Sequence, residues 1–138
     1  MPATEFLDTD VLVYAYDPDD VRKQRIAQGL VRKALAGDIV VSAQVLAEFA
    51  AMLLHKMQSA ARPEDVAAVL DVLGPIGVIS PDADMVRRAV DVRAQYGVHF
   101  YDGMIVAAAE RGGCGRIWSE DLSAGQKYFG IAVENPFG

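Results

Sequence analysis

The sequence predicts an α/β fold in which a parallel sheet of about five strands is covered by helices on both faces, built as one domain over residues 1–138. Three observations predict it. Short apolar runs alternate with longer stretches of helical period. Glycines, prolines and capping residues punctuate the joins. A chain of 138 residues, 52% hydrophobic and 23% charged, has the size and balance of a globular protein with one core. Strands that alternate with helices pair in parallel, and their crossover helices cover the sheet.

The elements follow in order. "EFLDTDVLVYAYD" opens as a buried strand, "TEFLD", yet its apolar run is broken by two carboxylates, Asp8 and Asp10. "DPDD" is a turn that offers helix caps. A helix is expected from Asp20 to Ala36, because Val21, Ile26, Leu30, Val31 and Leu35 recur near the helical period, and Gly37 can stop it. "DIVVS" is the second strand. Ser42 can cap the helix that follows through "AQVLAEFAAMLLHKMQ", and Pro63 suits the first turn of "PEDVAAVLDVL". "GVIS" is the third strand. Ser80-Pro81-Asp82 then reads as a cap, a first-turn proline and a dipole-matched acid, opening a helix that reaches about Tyr96 before Gly97. "YDGMIVAAAERGG" is a buried helix ended by glycines. "RIWS" and "IAVEN" are the fourth and fifth strands.

Charge and composition narrow the function classes. The formal charge is −6, which argues against a general nucleic-acid binder, since such proteins are usually basic. Bases are nevertheless concentrated in Arg22–Lys33, "RKQRIAQGLVRK", with five basic residues and no acid. A solvated helix face is the first reading; phosphate contact or partner docking is the second. No apolar run approaches the roughly 20 residues of a membrane span. The N-terminus lacks the basic and long apolar segments of a signal peptide. Cys114 stands alone, so a reducing cytoplasm is the expected compartment.

The acids fall where the strands end. Asp8 closes the first strand. Glu48 lies in the second turn of the helix after the second strand. Asp102 starts the Ala-rich helix, and Asp121 follows the fourth strand, with Glu120 beside it. In open α/β sheets ligands bind at the carboxyl ends of the strands. Carboxylates gathered there repel: a pair at about 4 Å costs on the order of 4 kcal/mol at an effective dielectric near 20. Divalent cations, or protons held on some of the acids, relieve the crowding. Oxygen-only ligands favour Mg²⁺ or Mn²⁺, and such a site suits hydrolysis of phosphodiesters.

With these residues in view, the chain resembles the PIN-domain family, and within it the VapC-type toxins of toxin–antitoxin pairs. The likeness runs through "FLDTDVLVYAYD", "VSAQVLAEF", "FYDGMIVAAA", "IWSEDLSAG" and "ENPF". Each piece alone is weak; their order and spacing together are specific. The resemblance implies a three-layer α/β/α sandwich and a Mg²⁺- or Mn²⁺-dependent endoribonuclease. It implies Asp8, Glu48, Asp102 and Asp121 as the catalytic acids. Asp8 and Asp102 are then the direct metal ligands, and Glu48 and Asp121 act through water or a second ion. The implied partners are an RNA substrate (a transfer RNA or a ribosomal loop), a cognate antitoxin that blocks the site, and a second copy in a homodimer, with no membrane. One departure stands out, because many relatives carry Asn where this chain has Asp10. An extra acid there either enlarges the metal shell or caps the next helix, and the capping role is the one expected.

Other residues have plainer readings. Thr9 and Ser119 are equally suited to hold the acids and to bond the local backbone. Glu120 is expected to be solvated, and His99 to be a surface or satisfied core histidine. His55 shows no ligand spacing, and Cys114 is expected to be structural. Trp118, Tyr101, Tyr14 and Tyr16 read as packing residues before base-stacking platforms. Two rival functions exist. "FLDTDVLV" nearly matches the opening acids of haloacid-dehalogenase-type phosphatases, but Leu12 stands where that pattern has Thr or Val, and no lysine-plus-paired-acid sequel appears. The other rival is a PIN module that binds metal or RNA without catalysis.

Overall fold

A computed structural model describes residues 4–55 and 61–138. The elements are β1 (Thr4–Leu7), α1 (Thr9–Tyr14), α2 (Val21–Leu35), β2 (Ile39–Ser42), α3 (Ala43–His55), α4 (Pro63–Val72), β3 (Gly77–Ile79), α5 (Ala83–Tyr96), α6 (Phe100–Arg111), β4 (Cys114–Trp118), β5 (Lys127–Tyr128) and β6 (Ile131–Glu134). They form the expected α/β sandwich around a mostly parallel sheet.

The sheet order is β3-β2-β1-β4-β6-β5. Five strands run parallel, and β5 pairs antiparallel with β6. From β1 the chain steps outward to β2 and β3, then crosses back to place β4 on the other side of β1. Parallel crossovers are right-handed, so this reversal sends α2 and α3 to one face and α5 and α6 to the other. The packing agrees: α2 and α3 lie against β2, while α6 lies against β4 and β6. Phe6, Ile39, Val41, Val45, Phe49, Met85, Ile105 and Ile117 are fully buried between the layers. Seven consecutive residues of α6, Gly103 to Ala109, are buried, which is why its sequence shows no polar face.

Most caps match the sequence reading. Asp20 accepts from the Lys23 N–H, and Ser42 Oγ accepts from the Val45 N–H at 3.2 Å. Pro63 occupies the first turn of α4, and Gly97 closes α5 with φ of 73°. Four details differ. The apolar stretch after Asp8 forms a short helix, α1, where no element was expected. Asp82, not Ser80, caps α5: its carboxylate accepts from the Met85 N–H at 2.9 Å, and Pro81 stays outside the helix. β4 starts at Cys114, two residues before "RIWS". The hairpin strand β5 was not expected; it turns into β6 through Phe129 and Gly130, both at positive φ. The expected extension of α3 through Gln58 lies outside the described residues.

Candidate active site

Position comes first from topology. The strand order reverses between β1 and β4, and the crevice outside the carboxyl ends of those two strands is where an open α/β sheet receives a ligand. A cleft of about 520 Å³ opens there, lined among others by Asp8, Asp10, Glu48, Tyr101, Asp102 and Asp121. The structure thus brings all four sequence-predicted acids to one cavity, each from a different segment.

Asp8 is the most buried of them, 7% exposed. Its own N–H donates to the Trp118 carbonyl, continuing the β1–β4 ladder one residue past the strand. Its side chain caps α1: Oδ1 accepts from the Thr9 N–H at 2.7 Å, and Oδ2 accepts from the Ser119 hydroxyl at 2.8 Å. Burial first, with the charges of Asp102 and Glu48 adding, pushes its pKa up to about 6. Ser119 is itself fully buried and also accepts from the Leu122 N–H, so this hydroxyl both bonds the local backbone and holds an acid.

Glu48 is exposed on α3 but held at both oxygens. Thr9 Oγ1 donates to Oε2 at 2.9 Å, and Gln44 Nε2 donates to Oε1 at 2.8 Å. Gln44 also donates to the Tyr101 carbonyl at 3.2 Å, joining α3 to the first turn of α6. Sequence reasoning missed Gln44, although a Gln one helical turn before Glu48 carries a readable pairing signal. Asp102 sits in that first turn of α6, half-buried. Burial raises its pKa, the His99 ring opposes the rise, and the charges of Asp121 and Glu48 reinforce it. His99 is the N-cap of α6; its Nδ1 accepts from the Tyr101 N–H.

Asp121 is exposed and follows β4 in a loop that Asp10 fixes. Asp10 Oδ2 accepts from the Glu120 N–H at 2.9 Å and the Asp121 N–H at 2.8 Å, while Oδ1 accepts from the Val11 N–H at 2.7 Å. The N-cap of α1 is therefore Asp8. Asp10, in the first turn, spends its second oxygen on the distant loop, a role the capping expectation did not contain. Burial first, then the neighbouring Asp8 charge, pushes its pKa up to about 7. Glu120 is not free in solvent as expected. Lys23 Nζ pairs with it, and the Tyr14 hydroxyl donates to it at 2.8 Å, which ties α2 and α1 to the same loop. That link joins residues 97 positions apart, and no local sequence pattern announces it.

Among the described residues, no three His, Cys, Asp or Glu side chains converge tightly enough to form a ready coordination sphere. The donors of this chain account for the spread: Asp8, Glu48 and Asp10 each direct both oxygens at protein N–H or O–H groups. The donor set still fits a hard divalent cation. It is oxygen-only, and burial first, with the neighbouring carboxylates adding, raises the proton affinity of Asp8, Asp10 and Asp102, a condition that positive charge relieves.

An open α/β domain with a carboxylate-lined switch-point cleft defines the class. The family model described as PIN domain matches residues 6–129, and the chain belongs to the PIN-domain family. Solved structures share the fold. A toxin–antitoxin complex from Klebsiella pneumoniae aligns with TM-score 0.72 at 16% identity, over 96% of this chain and 98% of that one. VapC20 of Mycobacterium tuberculosis, a sarcin–ricin-loop-cleaving toxin, aligns with TM-score 0.69 at 20% identity, over 87% and 92%. VapBC2 from Rickettsia felis, bound to a DNA fragment from its promoter, aligns with TM-score 0.67 at 18% identity, over 96% and 98%. No curated protein sequence matches.

Proposed function

We propose that the chain, as a single PIN domain, is a Mg²⁺- or Mn²⁺-dependent endoribonuclease and the toxin of a toxin–antitoxin pair. The observation that carries this reading is the meeting of Asp8, Glu48, Asp102 and Asp121 in one cleft at the switch point. Asp8 and Asp102 would hold a metal directly, with Glu48 and Asp121 acting through water or a second ion. When bound, such a metal supplies a more nucleophilic water and neutralises charge on the phosphate. The protein's own part is positioning. Thr9 and Ser119 aim Asp8, Thr9 and Gln44 aim Glu48, and Asp10 anchors the loop that carries Asp121. A water-excluding fold around Asp8 strengthens its bonds to Thr9 and Ser119.

The partner class in this reading is supported by the matched structures, which include a toxin–antitoxin complex. A cognate antitoxin that blocks the cleft, a homodimeric toxin and a cytoplasmic setting complete the proposal. Burial, with Glu5 adding, pushes the Cys114 thiol up to about 11, so it is unreactive, in keeping with a structural role. The phosphatase alternative fares worse. Its second Asp must donate a proton to a leaving group, whereas Asp10 accepts three backbone N–H bonds.

The test is cleavage of transfer RNA and of ribosomal RNA, each with Mg²⁺, with Mn²⁺ and with chelator. Metal-dependent cuts that vanish in Asp8→Asn and Asp102→Asn support the reading. A covalent aspartyl-phosphate, or metal binding without hydrolysis of any RNA, would replace it with one of the two rivals. An adjacent reading frame encoding a small DNA-binding protein would support the toxin assignment.

A further inference from the structure

Tyr101 was expected to pack, and it does so only against its chain neighbours His99 and Phe100. It is 57% exposed, and among the described residues it is the one exposed Tyr, Phe or Trp. The other rings with access to solvent are occupied. The Trp118 indole donates to Glu5 and lies under the Arg116 guanidinium. The Phe129 ring is covered by Arg88 at 3.8 Å. The Tyr14 ring meets Phe137 edge-on, and its hydroxyl is spent on Glu120.

Tyr101, by contrast, lines the acidic cleft and directly precedes Asp102. Its backbone is fixed at both ends, the N–H by His99 Nδ1 and the carbonyl by Gln44. Its ring stacks on His99, with centroids 5.9 Å apart and planes 25° from parallel, and meets Phe100 edge-on at 5.2 Å. A rigid ring supported from one side and open elsewhere is a surface for another flat group.

We propose that Tyr101, backed by His99, is a stacking platform for an unpaired nucleobase of the RNA strand whose phosphate enters the cleft. The inference rests on the nuclease reading and names how its substrate is held. Electrostatics favour this mode of binding. The chain carries a net charge of −6 and the cleft is lined by acids, so phosphates gain little from the protein surface near the site. Stacking needs no positive charge, and only a base outside a duplex presents a free face. The platform therefore selects loops and single strands over double helices, and it tolerates different bases.

The test measures binding of a short mixed-sequence single-stranded RNA to protein in the Asp8→Asn background, which keeps the strand whole. The same strand carrying one abasic ribose at each position in turn, and the matching duplex, serve as comparisons. Tyr101→Ala and Tyr101→Leu should weaken single-strand binding roughly ten- to a hundredfold, and Tyr101→Phe and Tyr101→Trp should restore it to within about threefold. One abasic position should weaken binding to protein with Tyr101 intact and cause no further loss in Tyr101→Ala. Three results would overturn the platform: unchanged single-strand binding by folded Tyr101→Ala and Tyr101→Leu, an equal loss of duplex binding, or a loss confined to capture of a co-expressed partner protein. Cleavage of RNA by the native chain with no effect of Tyr101 changes sinks the platform alone. Failure of the native chain to bind or cut any RNA removes the nuclease reading and the platform together.

Discussion

Asp8 is tolerated in the interior because both its oxygens are bonded, yet those bonds do not cancel the cost of burying its charge. Its pKa is raised to about 6, and that of the adjoining Asp10 to about 7, from an ordinary value of 3.8. The sign of the pH effect follows. An acid that holds its proton more tightly folded than unfolded gives stability that is full below about pH 4 and lost as pH rises through the folded pKa. Thermal melts in chelator should therefore show the midpoint falling between about pH 4 and pH 7, with a shallower slope in Asp8→Asn. At neutral pH the metal-free Asp8→Asn protein should be more stable than the native chain by roughly 1–3 kcal/mol, since it removes a charge that burial and neighbouring acids disfavour, and Asp102→Asn should be more stable by a smaller margin, its site being more open to solvent. Asn at position 8 keeps an acceptor for the Thr9 N–H and offers a donor to Ser119 Oγ, so the cap survives. A large loss of stability in denaturant titrations would contradict the crowding argument. Asp10 gives the opposite result. Asp10→Ala releases the Glu120 and Asp121 N–H groups and should cost about 2–4 kcal/mol, whereas Asp10→Asn can turn its carbonyl oxygen to the loop and lose far less. Comparing the two by chemical denaturation and by cleavage rate separates anchoring from metal binding.

At the level of elements, the placing of Asp102 depends on how closely α5 and α6 approach. A Cβ on Gly103 would lie 2.7 Å from the Ala89 carbonyl oxygen, a backbone atom that cannot give way. Around that contact Arg88 forms a two-pronged pair with Glu110, and Arg111 reaches back to the cap Asp82. Gly103→Ala should push the helices apart, cost about 1–3 kcal/mol and lower the cleavage rate through displacement of Asp102, as melts and single-turnover assays would show. The basic helix divides into two parts. Arg22 donates to the Phe137 carbonyl and Lys23 is paired with Glu120, so these two serve structure. Arg25, Arg32 and Lys33 are exposed. Replacing those three with Gln should flatten the salt dependence of RNA binding by up to about three in the log–log slope if all contact phosphate. An unchanged slope leaves them a solvated or antitoxin-facing role. The elements also mark what the sequence made legible. Strands and long helices were readable because burial stamps a period on them and caps mark their ends. α1 was not, since six residues are too few to show a helical period and its apolar residues continue those of β1. β5 has two residues and exists only because β6 offers an edge. Asp8 and Asp121 were legible from their places after strands, and Glu48 and Asp102 from their places near helix starts. Their second contacts (Asp10 to the Asp121 loop, Lys23 to Glu120) were not, because they join segments roughly a hundred residues apart and leave no local pattern.

At the scale of the whole molecule, the reversal of strand order concentrates negative charge at one edge of the sheet. Occupancy by a divalent cation should then be coupled to global stability, because a ligand that binds only the folded state stabilises it by mass action, about 2.7 kcal/mol at a hundredfold excess over its dissociation constant. The coupling must depend on pH. At about pH 5 the buried acids hold protons that a cation has to displace, so its affinity is reduced; at about pH 8 they are ionised and it meets no competition. Melts with rising Mg²⁺ or Mn²⁺ should accordingly show a larger upward shift at about pH 8 than at about pH 5, the reverse of the metal-free trend. General screening also relieves repulsion, so NaCl at matched ionic strength is the control. It should reproduce a small part of the shift, and a smaller part still in Asp102→Asn, where less repulsion is left to screen. The remainder should be specific to divalent ions and should shrink in Asp8→Asn and in Asp102→Asn, since each removes one anionic oxygen donor. An equal response to sodium and magnesium would mean that the acids meet only as a diffuse negative field, and direct metal ligation by Asp8 and Asp102 would have to be abandoned.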